Sequence, residues 1–168
     1  MEYLNKFLRL KHHLVLMLAI LFLSSFASFD AEAQRIIELK SYLESQKFSS
    51  SDPFMDLLYG SNGIIEIRDG QLILPKAPSP KNIILSGSAV SILTEETPEF
   101  ASVEFIQIKL GDGVSSFSLD FGVLPSLSAL KYILVTSTEP ISASQISQML
   151  TGFEQTEILI FYQISRPG

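Results

Sequence analysis

Two stretches of the chain share one residue pattern, and this repetition constrains the fold more than any other feature of the sequence. Residues 98–108 and 125–135 align without a gap at an offset of 27 positions. Each begins with proline and ends with a charged residue, an aromatic residue, isoleucine, a variable residue and a β-branched residue. Aromatic and β-branched residues in a short apolar run favour a buried strand. The repetition therefore predicts two equivalent units, each a turn followed by a strand.

Weaker copies of the pattern extend it to residues 81–85 and 152–161. One charged residue opens the strand of each copy, and the intervals between these residues are 23, 27 and 26 positions. If the strands are parallel neighbours in register, about 4.8 Å apart, their first side chains form one row of alternating charge. The sequence thus predicts a surface charge ladder made of Lys81, Glu104, Lys131 and Glu157.

Residues 81–165 resemble leucine-rich-repeat proteins. The repeat unit of that family has about 20–29 residues, with leucine-type residues spaced around a short parallel strand. The matching positions in the better copy are Leu124, Leu127, Leu130, Ile133 and Val135. The asparagine that normally follows the strand in that family is absent here. The resemblance implies an α/β fold with a short stack of parallel strands in the C-terminal half, preceded by helices and a β-hairpin. The alternative is a compact single-domain α+β fold with a mixed sheet.

Helical signals occupy the segment before the repeats. Apolar residues at helical spacing, among them Ile36 and Leu39, predict an amphipathic helix over residues 34–47. Asp52 followed by Pro53 is typical of a helix cap and the first helical residue. We therefore expect two helices in residues 34–63.

A β-hairpin is predicted next. The apolar runs 64–67 and 71–74 flank Asp69 and Gly70, and an Asp-Gly turn between apolar strands is a strong hairpin signal. Three prolines between positions 75 and 80 then favour an extended connection to the repeats.

One further helix is marked inside the repeats. Ser142 and Gln145 have the spacing of a capping box, and Gly152 suits the left-handed position past a helix end. This helix joins the predicted strands 130–135 and 158–164. A connection of that kind favours a parallel pair of strands.

The first 33 residues have the three parts of a secretory signal peptide. Basic residues precede an apolar run over residues 14–29, and Ala31 and Ala33 supply small residues before a cut. We predict cleavage between Ala33 and Gln34, and a periplasmic or secreted protein. The alternative is an uncleaved anchor. However, the run of about 16 residues is shorter than the roughly 20 that a membrane-spanning helix needs.

The remaining residues 34–168 are predicted to form a single globular domain. It divides into a helical part (34–63), a hairpin (64–74) and the strand-rich part that resembles repeats (81–165). The whole chain carries 12 Lys and Arg and 18 Asp and Glu. Removing the leader takes three of each sign, so 9 minus 15 leaves the net charge at −6. The composition argues against nucleic acid as a partner, because such binding needs clustered basic residues.

Missing residue types limit the chemistry of the mature chain. Both histidines, His12 and His13, lie in the leader, and the sequence contains no cysteine. These absences exclude a Ser-His-Asp triad, cysteine-histidine zinc ligation and disulfides from residues 34–168. The sequence therefore predicts no catalytic residue, no metal site and no cofactor.

Two functional hypotheses follow. The first is an exported, non-enzymatic binding or accessory protein that acts through its sheet surface on another envelope or extracellular protein, or on a glycan. The second is a carboxylate-based hydrolase, such as a glycosidase-like enzyme, because 15 acidic residues remain after the leader. A pocket with two carboxylates roughly 5–10 Å apart would favour the enzyme. An exposed face with aromatic side chains would favour binding.

Overall fold

The computed structural model describes residues 35–49, 51–111, 113–153 and 156–165. These residues form nine strands, three α-helices and three 3₁₀ helices. The strands are β1 (Ile36–Glu38), β2 (Ile64–Arg68), β3 (Gln71–Ile73), β4 (Asn82–Ser86), β5 (Phe105–Leu110), β6 (Leu119–Asp120), β7 (Tyr132–Ser137), β8 (Leu150–Thr151) and β9 (Leu159–Ile164). The helices are α1 (Leu39–Ser45), α2 (Pro53–Tyr59) and α3 (Ala143–Met149), and the 3₁₀ helices are Gly87–Thr94, Pro98–Ser102 and Phe121–Val123.

Seven of these strands form one sheet in the order β1-β9-β7-β5-β4-β2-β3. Its neighbouring strands run parallel, apart from the antiparallel hairpin of β2 and β3. Strands β6 and β8 form a separate short parallel pair. The architecture confirms the predicted α/β fold with parallel strands after helices and a hairpin.

Strands β2, β4, β5, β7 and β9 are neighbours in the sheet in the same order as in the chain. Their connections pack on one side of the sheet, which we call the crossover side. Strand residues such as Ile83, Ile106 and Ile133 point to that side and are fully buried. They form one apolar cluster with residues of the connections, including Leu93, Phe100, Leu127, Ile146 and Phe153.

Helices α1 and α2 pack on the opposite side of the sheet. Their apolar residues meet Phe105, Leu134 and Phe161, which point away from the crossover side. Aromatic rings dominate this contact: the centroids of Tyr42 and Phe161 are 4.8 Å apart, and those of Phe54 and Phe161 are 5.1 Å apart. The two helices therefore cover β9, β7 and the amino end of β5.

Part of the same side is left uncovered. Glu66 on β2, Ile84 on β4 and Gln107 on β5 alternate with residues of the crossover core, and all three are partly exposed. They lie opposite one another in the sheet register. We call the exposed side of β2, β4 and β5, which includes Lys109 near the end of β5, the open face.

The predicted helix over residues 34–47 is wrong in its first part. Ile36–Glu38 form strand β1, which pairs in parallel with Ile160–Tyr162 of β9. The helix begins only at Leu39 and ends at Ser45. A β-branched pair at positions 36 and 37 suits a strand, and pairing with β9 buries Ile36 to 5% exposure.

Other local signals are confirmed. The Asp52 carboxylate accepts a hydrogen bond from the Phe54 amide at 2.9 Å, and Pro53 is the first residue of α2. Asp69 and Gly70 both have positive φ angles, 52° and 75°, as a two-residue hairpin turn of the primed type requires.

The predicted capping box begins α3. The Gln145 amide donates to Ser142 Oγ at 3.3 Å, and the Ser142 amide donates to Gln145 Oε1 at 2.9 Å. Leu150, directly after the helix, begins β8. Gly152 has the expected positive φ of 74°, but it follows that strand rather than the helix.

The leader, residues 1–33, and the predicted cleavage site at Ala33 and Gln34 lie outside the described residues. Among the residues that are described, no helix has the length and apolar character needed to cross a bilayer.

Candidate functional site

Three of the charged residues in the predicted ladder lie side by side at the amino ends of the strands. Asn82 is paired with Phe105, and Phe105 with Tyr132, so the residues just before them share one row. We call Lys81, Glu104 and Lys131 the amino-edge row. The backbone connects them as well, because the Glu104 amide donates to the Lys81 carbonyl at 2.8 Å and the Lys131 amide to the Glu104 carbonyl at 3.0 Å.

Glu104 pairs with both lysines of the amino-edge row, so two cations share one anion. Glu104 Oε2 accepts from Lys131 Nζ at 2.5 Å, and Glu104 Oε1 accepts from Lys81 Nζ. The hydrogen bond from Lys131 and then the one from Lys81 lower the pKa of Glu104, and partial burial opposes them. The same contact raises the pKa of Lys131. The Glu104 side chain is only 18% exposed. The amino-edge row therefore stabilises the fold and leaves little surface for a ligand.

The structure does not bring Glu157 into this row. Tyr132 is paired with Leu159, and the Leu159 amide donates to the Lys131 carbonyl at 3.0 Å. The position beside Lys131 therefore belongs to Ile158, which is buried. Glu157 is exposed and lies one residue earlier. The burial of Ile158 fixes this register. The aligned strand positions are therefore 82, 105, 132 and 159, with intervals of 23, 27 and 27 residues.

A second row crosses the carboxyl ends of the strands on the open face. Ser86 is paired with Lys109, and Ile67 with Leu85, which brings Arg68 beside Ser86 at the next position. We call Arg68, Ser86 and Lys109 the carboxyl-edge row. These three residues line one cleft with a volume of about 800 Å³.

The cleft arises because the connections after β2 and β4 diverge. After β2 the chain reverses through the Asp69-Gly70 turn into β3, at the outer edge of the sheet. After β4 it enters the 3₁₀ helix Gly87–Thr94, which packs on the crossover side. Open α/β sheets commonly bind ligands in crevices at the carboxyl ends of their parallel strands. Sequence reasoning missed this site, because its residues come from three separate segments with no motif.

Gly87 packs next to Leu110 and Val114, which line the cleft. A Cβ atom at this position would lie 2.9 Å from Leu110 Cδ2 and 3.0 Å from Val114 Cγ1. The absence of a side chain lets the 3₁₀ helix approach the end of β5 closely. Ser86 caps this helix by accepting a hydrogen bond from the Ser88 amide.

Charged groups of both signs line the cleft. Arg68 Nη2 lies 2.6 Å from Glu66 Oε2, and these side chains are 68% and 44% exposed. Asp69 is an exposed residue of the hairpin turn. No carboxylate of the described residues lies within 4.0 Å of Lys109 Nζ. The carboxyl-edge row thus has two cations and a neutral middle residue, whereas the middle residue of the amino-edge row is an acid.

Aromatic residues do not form the exposed stripe considered from the sequence. Phe105 and Phe161 are buried under α1 and α2, and Tyr132 and Tyr162 are partly buried against the two apolar clusters. In the part of the chain that the structure describes, no three His, Cys, Asp or Glu residues converge closely enough to hold a metal ion.

No protein-family model, curated protein or solved structure matches this chain. The resemblance of residues 81–165 to leucine-rich-repeat proteins therefore stays a prediction, and the candidate site has to be interpreted from its own geometry.

Proposed function

We propose that the chain is an exported, non-enzymatic binding or accessory protein that acts through the open face of its sheet. The observation that carries this proposal is the incomplete cover of the sheet. Helices α1 and α2 bury β7 and β9, but Glu66, Ile84 and Gln107 stay partly exposed beside them. The cleft of about 800 Å³ opens at the carboxyl end of the same section.

The leader supports export. Residues 1–33 have the order of basic, apolar and small residues that a secretory signal requires. A periplasmic or secreted location would bring the open face into contact with another envelope or extracellular protein, or with a glycan. A membrane would be involved only through an uncleaved leader.

The carboxylates of the cleft favour binding over hydrolysis. A glycosidase keeps one carboxylic acid protonated by placing it in an apolar setting. Glu66 instead faces solvent and is ion-paired with Arg68, and Asp69 lies in an exposed turn. Acids in these surroundings suit hydrogen bonding to a ligand better than proton transfer.

Site-specific photo-crosslinking tests the binding surface. We replace Gln107 on the open face, or Gln148 on the exposed surface of α3 on the crossover side, by the same photo-reactive amino acid. Irradiation in the native exported fraction is expected to give an adduct of defined mass at position 107 and none at position 148. Equal adducts at both positions, or none at 107, would contradict the proposal.

Intact-mass analysis of the exported protein tests the leader separately. Cleavage after Ala33 predicts a mature chain that begins at Gln34. A mass that includes residues 1–33 would show that the leader is retained as an anchor.

A further inference from the structure

The two charged rows of the sheet have the same spacing between their cations, but they differ in the residue between the cations. In each row, two cations lie on strands separated by one intervening strand, which puts their backbones about 10 Å apart. In the amino-edge row, Glu104 lies between Lys81 and Lys131 and accepts hydrogen bonds from both. In the carboxyl-edge row, Ser86 stands between Arg68 and Lys109 and brings no charge.

We propose that the cleft binds an acidic saccharide, and that the sugar carboxylate lies over Ser86 between Arg68 and Lys109. The ligand would supply the anion that Glu104 supplies in the other row. This inference rests on the proposed function, since it assigns a ligand to the open face.

The cationic groups remain available for such a ligand. Glu66 engages Nη2 of Arg68, and a guanidinium has five N–H donors, so further donors remain for a second acceptor. Lys109 is exposed, with no ion pair to a described carboxylate. Both side chains are long enough to converge on an anion above Ser86, as Lys81 and Lys131 converge on Glu104.

The remaining walls of the cleft favour a sugar over an acidic peptide. The hydroxyls of Ser88 and Ser91 can exchange hydrogen bonds with ring hydroxyls, and Ile84 and Ile92 offer an apolar surface to the C–H face of a ring. Glu66 and Asp69 also line the cleft. Carboxylates accept hydrogen bonds from sugar hydroxyls. The volume lies within the range of roughly 300–1,000 Å³ that is typical of small-ligand sites.

Calorimetric titration of the mature protein with matched saccharides tests the inference. The probes are a short oligogalacturonide and the same oligosaccharide with its carboxylates methyl-esterified. We expect the free acid to bind at least about tenfold more tightly than the ester, because a charge-assisted hydrogen bond contributes at least such a factor. Lys109→Gln should weaken binding of the acid by about tenfold. Lys40→Gln, a control on the exposed surface of α1, should leave binding unchanged.

Each other outcome overturns the inference in an identifiable way. Equal binding of acid and ester would show that the carboxylate is not recognised. Tighter binding of an acidic dipeptide than of the oligogalacturonide would show that the ligand is not a saccharide. Failure of every probe, with crosslinking at position 107 still present, would remove the ligand assignment and leave the proposed function standing. Failure of both experiments would remove both.

Discussion

The amino and carboxyl edges of the sheet use charge in different ways. At the amino edge, Glu104 lies between two lysines and forms ion pairs with both, with its side chain largely buried. At the carboxyl edge, the uncharged Ser86 lies between Arg68 and Lys109, and all three residues line an open cleft. The same parallel register thus produces one row that contains its own anion and one row that is open to an anionic ligand.

This difference separates residues that hold the strands in register from residues that are available for binding. The amino-edge row connects β4, β5 and β7 through both backbone and side-chain hydrogen bonds. Its loss should lower stability without altering binding. Changes in the carboxyl-edge row should alter binding with little effect on stability.

Glu104→Lys should cause the largest loss of stability. The change removes two ion pairs and places three positive side chains on neighbouring strands, where like charges repel. We expect the free energy of unfolding to fall by about 2 kcal/mol, between the values typical of exposed and buried pairs. Urea denaturation measures the loss.

Reversing the neighbouring charges provides the control for Glu104→Lys. Adding Lys81→Glu and Lys131→Glu in the same chain restores the alternation with opposite signs. We expect partial recovery of stability. A triple variant less stable than Glu104→Lys alone would show that the row does not act through its charges.

Glu104→Gln should cost about 1 kcal/mol at neutral pH, because the amide keeps one acceptor and loses both charge interactions. The folded state lowers the pKa of Glu104 below its ordinary value of 4.5. Its contribution is therefore complete above that value and declines as the pH falls through the lower, folded-state pKa. The difference between wild type and variant should shrink on acidification below about pH 4.5. A difference that is constant between pH 7 and pH 3 would contradict the assignment.

Ser86→Asp should convert the carboxyl-edge row into a copy of the amino-edge row. Aspartate caps helices as well as serine does, and its charge would lie between Arg68 and Lys109. We expect a gain in stability of no more than about 0.5 kcal/mol, as is usual for exposed pairs. Binding of the oligogalacturonide should be lost, because the new carboxylate occupies the place of the ligand. Undiminished binding to this variant would argue against the proposed position of the sugar.

Glu157→Gln should have the smallest effect, within about 0.5 kcal/mol, as is typical of an exposed surface substitution. It is the matched control for Glu104→Gln, since the sequence pattern assigned both residues to one ladder and the structure leaves Glu157 outside the row. Equal losses for the two variants, measured by chemical denaturation, would contradict the register described here.

Local signals in the sequence predicted much of the fold. The Asp52 cap, the Asp69-Gly70 turn and the Ser142 capping box depend on neighbouring residues alone, and all three occur in the structure. The parallel pairing of β7 and β9 followed from the helix that joins them. Strand β1 was not predicted because its partner, β9, lies more than 120 residues away in the chain.

The candidate site was less predictable than the fold. A one-residue error in the copy at residues 152–161 misplaced Glu157, because only the burial of Ile158 fixes the register there. The cleft depends on residues from β2, β4 and β5, which become neighbours only through the sheet order. No spacing along the chain connects Arg68, Ser86 and Lys109.

Amide chemical-shift mapping of the ¹⁵N-labelled mature protein tests the distinction between the two edges most directly. During titration with the oligogalacturonide, we expect saturable shifts at Ser86, Ser88 and Lys109. We expect unchanged shifts at Glu104 and Lys131. Shifts that cluster at the amino edge or on α3, or a spectrum that does not change at all, would contradict the claim that the carboxyl edge of the open face is the binding surface.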